Sequence, residues 1–223
     1  MKTNEVLQKD VQDAIKWEPL LHAAEIGVTV KDGIVTLTGV VDSYTKKSEA
    51  EHAAKNVAGV KAIVEKITVK IGTSWSKTDS EIATEVLNAL KNSWENPTDK
   101  IKVTVESGWV TLSGEVNWNY QKDAAKYSVK YLNGVIGINN NITIKSITHD
   151  EIEKNEVKSA LQRNWSLSEQ DIHVKASGTK ITLTGTVNSL YQKDEAERIA
   201  FNAPGVWSVD NELTIEYNYA LSL

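Results

Sequence analysis

Three stretches of the chain alternate aliphatic residues with Thr or Ser and carry a glycine near their end: GIVTLTGVV at 33–41, GWVTLSGEV at 108–116 and TKITLTGTV at 179–187. A period of two marks a strand with one face buried. Ahead of the first stretch, Ile26, Val28 and Val30 alternate with Gly27, Thr29 and Lys31, and Asp32-Gly33 between the two runs is a hairpin dipeptide. Earlier still, Val6, Val11, Ala14 and Ile15 are spaced as one face of a helix over 4–16. Trp17-Glu18-Pro19 ends it, because the residue before a proline avoids helical backbone. Behind the central strand, Ala50, Ala53, Ala54 and Val57 mark a second helix over 44–57, with Gly59 as its left-handed C′ residue. A last strand over 62–70 points Ile67 and Val69 inward.

The same order recurs twice. Gly39 to Gly59, Gly114 to Gly134 and Gly185 to Gly205 are each 20 positions apart, and these six glycines define the register of the repeat. Val11, Ile15 and Ile26 correspond to Val86, Leu90 and Ile101, then to Val157, Leu161 and Ile172. Thr78 with Glu81, and Thr148 with Glu151, read as capping boxes that open the first helices of the second and third copies. The pattern predicts an α+β chain of three tandem α-β-β-α-β sandwich modules, over 1–72, 73–146 and 147–223. Each is a three-stranded sheet with two helices on one face. The opposite faces are polar: Thr29, Lys31, Thr36, Thr38 and Thr68; Lys102, Thr104, Thr111, Ser113 and Thr143; His173, Lys175, Thr182, Thr184 and Thr214. Each such face meets water, a partner or a neighbouring module.

The strand Val35-Thr36-Leu37-Thr38-Gly39 and its copies, the Ala-rich helix and the Gly-Val step resemble the BON (bacterial OsmY and nodulation) domain. Gly59-Val60, Gly134-Val135 and Gly205-Val206, each followed by Ile63, Ile138 or Val209, fit the closing part of that motif. The resemblance covers nearly the whole chain as three copies and implies the α-β-β-α-β sandwich already read from the pattern. It also implies a binding module without catalysis, tied to envelope integrity, osmotic shock and attachment to anionic phospholipid. Some relatives are thought to bind potassium, which makes a scaffold or ion sensor with weak ion binding, through the Thr-lined faces or intermodule clefts, the second reading.

Composition narrows the chemistry. Among 223 residues there is no cysteine, so disulfides, thiolate metal sites and a cysteine nucleophile are excluded. The first 19 residues carry charge throughout, unlike the apolar core of about 7–15 residues in a signal peptide. No window approaches the ~20 apolar residues of a membrane span. The chain therefore reads as cytoplasmic, or periplasmic if a leader has been removed. Residues 1–72 carry 10 basic and 10 acidic groups, 73–146 carry 8 and 8, and 147–223 carry 7 and 12. A general nucleic-acid binder is basic, so no nucleic-acid partner is expected. His22, His52, His149 and His173 fall at unrelated module positions, and Glu49 with Glu51, or Glu195 with Glu197, read as solvating charge. Gly134-Val135-Ile136-Gly137 has too few glycines, at the wrong turn, for a dinucleotide fingerprint. No catalytic set, metal site or cofactor is expected.

The copies differ most in module two. Lys122, Lys126 and Lys130 form one stripe at i, i+4 and i+8, where module one has Lys47, Glu51 and Lys55 and module three has Lys193, Glu197 and Phe201. Tyr127 and Tyr131 replace His52 and Asn56, or Arg198 and Asn202. Trp118 and Tyr120 open the same helix, and Trp109 replaces Ile34 or Lys180 in the hairpin. Lysines beside amphipathic rings suit an anionic membrane surface or an acidic partner protein; alternatively the aromatics pack between modules. Trp94 and Trp165 read as anchors closing the first helices, and Trp75 and Trp207 as wedges between modules. Tyr217, Tyr219, Leu221 and Leu223 form an apolar tail that docks internally or recruits a partner.

Overall fold

The structure, a computed structural model, describes residues 2–72, 76–93, 98–145 and 154–216. Module one runs α1 (Asn4–Lys16), β1 (Ile26–Lys31), β2 (Ile34–Val41), α2 (Tyr44–Lys55) and β3 (Ala62–Val69). Module two runs α3 (Asp79–Asn92), β4 (Ile101–Glu106), β5 (Trp109–Val116), α4 (Asn119–Lys130) and β6 (Gly137–Ile144). Module three runs α5 (Lys154–Arg163), β7 (Asp171–Ser177), β8 (Lys180–Val187), α6 (Leu190–Phe201), β9 (Ser208–Asn211) and β10 (Thr214–Ile215). The α+β order expected from the pattern is present three times.

In each sheet the central strand pairs antiparallel with the one before it through a two-residue hairpin. Asp32-Gly33 and Ser107-Gly108 both have positive φ, at 52° and 84°, and 49° and 77°, the turn whose twist matches the flanking strands. In module three only Gly178, at φ 57°, does so, which leaves Thr179 free of the strain a β-branched residue would meet there. The helix crossover then returns the last strand parallel to the central one. The N–H groups of Lys61, Ile136 and Trp207 donate to the carbonyls of Gly33, Gly108 and Thr179 at 2.9, 3.0 and 2.8 Å. At the far end Lys70, Lys145 and Glu216 donate to Val41, Val116 and Val187 at 2.8, 2.8 and 2.9 Å. Module three departs in one respect: its last strand is two pieces, β9 and β10. Ser208 pairs with Lys180 and Thr214 with Thr186, so the register survives the break.

Gly39, Gly114 and Gly185 are required by a close approach. Their φ values are 138°, 136° and 119°, and a Cβ there would sit 2.0, 2.0 and 1.9 Å from the carbonyl oxygens of Glu25, Lys100 and Asp171. No other residue fits.

The cores lie between helices and sheet. In module two, Ile82, Val86 and Leu90 of α3 and Ala125 and Val129 of α4 close over Val110, Leu112 and Val116. Module three repeats this with Val157, Leu161, Ala196 and Ala200 over Ile181, Leu183 and Val187. Two details of module one differ from expectation. Leu7, not Val6, joins Val11 and Ile15 in the core, and Val6 is exposed; the face is set by i, i+4 and i+8, on which Leu7 falls. Helix α2 ends at Lys55, so Gly59 is not its C′ residue. It lies in the following turn, where φ is 96° and the Val60 N–H donates to Val57. The capping box at Thr78 and Glu81 is formed; Thr148 and Glu151 lie outside the described residues.

The chain divides into two compact units, Met1–Val40 with Ser48–Thr68 and Asp150–Leu223, and Val41–Lys47 with Val69–His149. Within the first, module three meets module one directly. The Gly59 N–H donates to the Asn188 carbonyl at 2.9 Å, Lys55 reaches Asp194 at 2.9 Å, and the His52 ring meets Tyr191 edge-on at 6.2 Å. Within the second, the Thr45 hydroxyl donates to the Lys130 carbonyl at 3.1 Å, and Tyr44 packs against the module-two core.

Candidate functional site

Helix α4 begins after β5 with Trp118 as its N-cap in extended backbone. An indole cannot cap, so Gln121 takes over: its Oε1 accepts the N–H groups of Asn117 and Trp118 at 3.0 and 3.1 Å. One turn on, the Asn140 amide of β6 donates to the Lys122 carbonyl at 2.9 Å and fastens α4 to the sheet. The Ser128 hydroxyl bonds back to Ala124 at 2.8 Å. The helix carrying the stripe is thus held at its start, along one side by Asn140, and at its end by Thr45.

At about 100° per residue, Ala125 and Val129 take the core side, and the half facing solvent gathers Lys126 and Lys130 beside Tyr120, Tyr127 and Tyr131. Tyr127 is 64% exposed and Tyr131 51%. Their rings meet edge to face with centroids 5.2 Å apart, and the Lys130 ammonium stands 5.6 Å from the Tyr131 centroid, within cation–π range. Asp123 lies on the same half and accepts from the Asn119 amide at 2.9 Å. Lys122 is half-buried on the flank, as is Trp118.

Trp109 does not belong to this surface. It is the first residue of β5, and its neighbour Val110 is in the core. Alternation therefore turns Trp109 to the open face of the sheet, away from both helices. There its ring lies over Gly137: a Cβ on that glycine would come within 2.4 Å of the indole. The open faces of all three sheets are exposed or half-buried at every Thr, Ser, Lys and His position expected to line them.

Trp165, expected to anchor the end of a helix, is 86% exposed. The buried apolar residue of that turn is Leu167, so the aliphatic side chain closes the helix and the indole stands off. Trp94, Trp75, His149 and the tail with Tyr217, Tyr219, Leu221 and Leu223 lie outside the described residues. Trp207 is half-buried, and its indole N–H has no partner among the described residues.

Three features escaped the pattern. Asn140 and Asn211 play one role, since Asn211 donates to the Lys193 carbonyl at 2.8 Å as Asn140 does to Lys122. Asp79 accepts the N–H groups of Ser107 and Gly108 at 2.8 and 2.9 Å and ties α3 to its hairpin. In module one Asn4 takes that place toward Asp32, at 2.9 Å. Each pair shares a module position, so aligning polar positions as closely as apolar ones was the signal available.

No group of three His, Asp or Glu side chains is placed to hold a metal ion among the described residues. No described helix is long and apolar enough to cross a membrane.

The BON domain model matches residues 3–71, 78–146 and 149–217. The chain belongs to the BON domain family. It is similar to osmotically-inducible protein Y of Escherichia coli K12, at 30% identity over 129 residues, 56% of this chain and 64% of that protein. The chain thus matches somewhat less than two thirds of that relative's length. Among solved structures it is similar to CdsD, a structural protein of the type III secretion system of Chlamydia trachomatis. Identity is 20%, coverage 97% of this chain and 95% of that one, and the TM-score 0.26. The C-terminal domain of CdsD gives 18% identity, 97% and 100% coverage and a TM-score of 0.25. These overlaps are too loose to bear on fold or function.

Proposed function

We propose that this BON protein is a non-catalytic binding protein of the envelope or osmotic stress response, held to an anionic phospholipid surface by α4 of module two. The observation that carries this reading is the solvent-facing half of α4. Lys126 and Lys130 lie there beside exposed Tyr127 and Tyr131, whereas the other modules place Glu51 or Glu197 at the centre of the stripe and His, Asn or Arg at the tyrosine positions. Ammonium groups meet phosphates, and phenol rings take the headgroup layer. At about 1 kcal/mol for each lysine near the surface, Lys126 and Lys130, with Lys122 at their flank, hold the chain reversibly. The osmotic setting is supported by likeness to a relative named for osmotic induction.

Cosedimentation with phosphatidylglycerol vesicles and with phosphatidylcholine vesicles tests it. Binding to the anionic vesicles at low salt, weaker at physiological salt, is expected. Equal binding to both lipids, or none to either, overturns it.

A further inference from the structure

We propose that the open sheet face of module two is a second binding site, distinct from α4, that takes a flat, uncharged glycan chain. The face is a grid three strands wide. Across it, Glu106 pairs with Trp109 and Trp109 with Gly137; next come Thr104, Thr111 and Asn139, then Lys102, Ser113 and Asn141. Rows on one face repeat about every 6.6–6.8 Å and strands about every 4.8 Å, so the grid is long enough for several linked pyranose rings.

Its first row is an aromatic platform. Gly137 leaves room for the indole of Trp109 to lie across β6, since any Cβ there would fall within 2.4 Å of the ring. Trp109 remains 42% exposed. An indole packed over a glycine and still partly in solvent offers ring surface to the C–H face of a sugar, at low entropic cost. Beyond it stand hydroxyls and the exposed amides of Asn139 and Asn141, which both donate and accept as sugar hydroxyls do.

Charge complementarity selects the ligand. The interior of the grid carries none, and the rim carries Lys102, Lys145, Glu106 and Glu115 in balance, with Lys145 4.0 Å from Glu115. The equivalent positions elsewhere are different. Module one has Ile34, Ala62, Val64 and Lys66 where module two has Trp109, Gly137, Asn139 and Asn141, and module three has Lys180, Ser208, Asp210 and Glu212. The neutral amide set and the indole with its glycine occur together only in module two.

Isothermal titration calorimetry of the full chain with cellohexaose and with chitohexaose tests this. One or both bind, with submillimolar to millimolar dissociation constants. Trp109→Ile installs the residue that module one carries at this position, so it keeps the melting temperature while weakening binding about tenfold or more. Asn139→Val with Asn141→Lys weakens it as well. Lys122→Glu, Lys126→Glu and Lys130→Glu together leave glycan affinity within about twofold, which separates this site from the phospholipid surface. No heat from either hexasaccharide, wild-type affinity in both sheet variants, or loss of glycan binding in the lysine variant overturns the proposal.

Discussion

Tyr127 meets Tyr131, the C-cap of α4, edge to face, 5.2 Å between centroids, with the Lys130 ammonium over the second ring. Both rings are mostly in solvent, so the pair organises a surface rather than a core. Replacing both by alanine is expected to cost no more than about 1.5 kcal/mol of stability, because edge-to-face pairs add only about 0.5–1.5 kcal/mol beyond area burial and both residues are mostly exposed. Binding to anionic vesicles is expected to fall about tenfold. Urea unfolding together with cosedimentation separates the two effects. A stability loss of several kcal/mol would show the rings to be structural.

Gly114→Ala tests the close approach that sets the repeat. Its Cβ would sit 2.0 Å from the Lys100 carbonyl at a φ of 136°. Strained backbone of this kind costs about 1–3 kcal/mol before any clash is counted, so a total loss of about 2–4 kcal/mol is expected. Amide hydrogen exchange in β4, β5 and β6 reads it locally. A loss below about 1 kcal/mol would mean that the strand shifts to accommodate a side chain.

Lys55 and Asp194 join module one to module three at 2.9 Å, with Glu51 3.2 Å from the same ammonium. Burial acts to lower the Lys55 pKa, but the hydrogen bond and charge of Asp194, with Glu51, outweigh it and hold it above 10.5. A group with a raised folded pKa stabilises fully below its unfolded value and loses that contribution as the pH climbs through the folded one. A double-mutant cycle with Lys55→Met and Asp194→Asn is expected to give a coupling of about 0.2–1 kcal/mol. It should hold from neutral pH to just below 10.5, fade above that and weaken with salt. A coupling unchanged in strongly alkaline solution would place the energy in packing instead.

The architecture was legible because the repeat prints it three times. The Val-Thr-Leu-Thr/Ser-Gly strand, the hairpin dipeptides and the Ala-rich helix each follow from local backbone and burial rules. Less legible was what depends on where a side chain turns. Val6 and Leu7 are adjacent and both apolar, and only the helical phase of Val11 and Ile15 separates them. Trp109 looked like a companion of the lysine stripe because both are peculiar to module two. Its place one residue from Val110 sends it to the other side of the sheet. Trp165 looked like an anchor by its distance from Leu161, but Leu167 two residues on does the packing. The Asn140 and Asn211 pins needed a polar alignment, since hydrophobic periodicity says nothing about an amide that bonds a helix carbonyl.

The most direct test of the central claim compares vesicle partitioning of the wild-type chain with the Lys122→Glu, Lys126→Glu, Lys130→Glu variant. Phosphatidylglycerol vesicles at low and physiological salt serve, with Lys47→Glu, Lys175→Glu, Lys193→Glu as a variant of equal charge change elsewhere. The α4 reading predicts a loss of at least about tenfold for the first variant, from about 1 kcal/mol per lysine. The second should lose much less at physiological salt. Equal partitioning of wild type and the α4 variant, or equal loss in both variants, would contradict it.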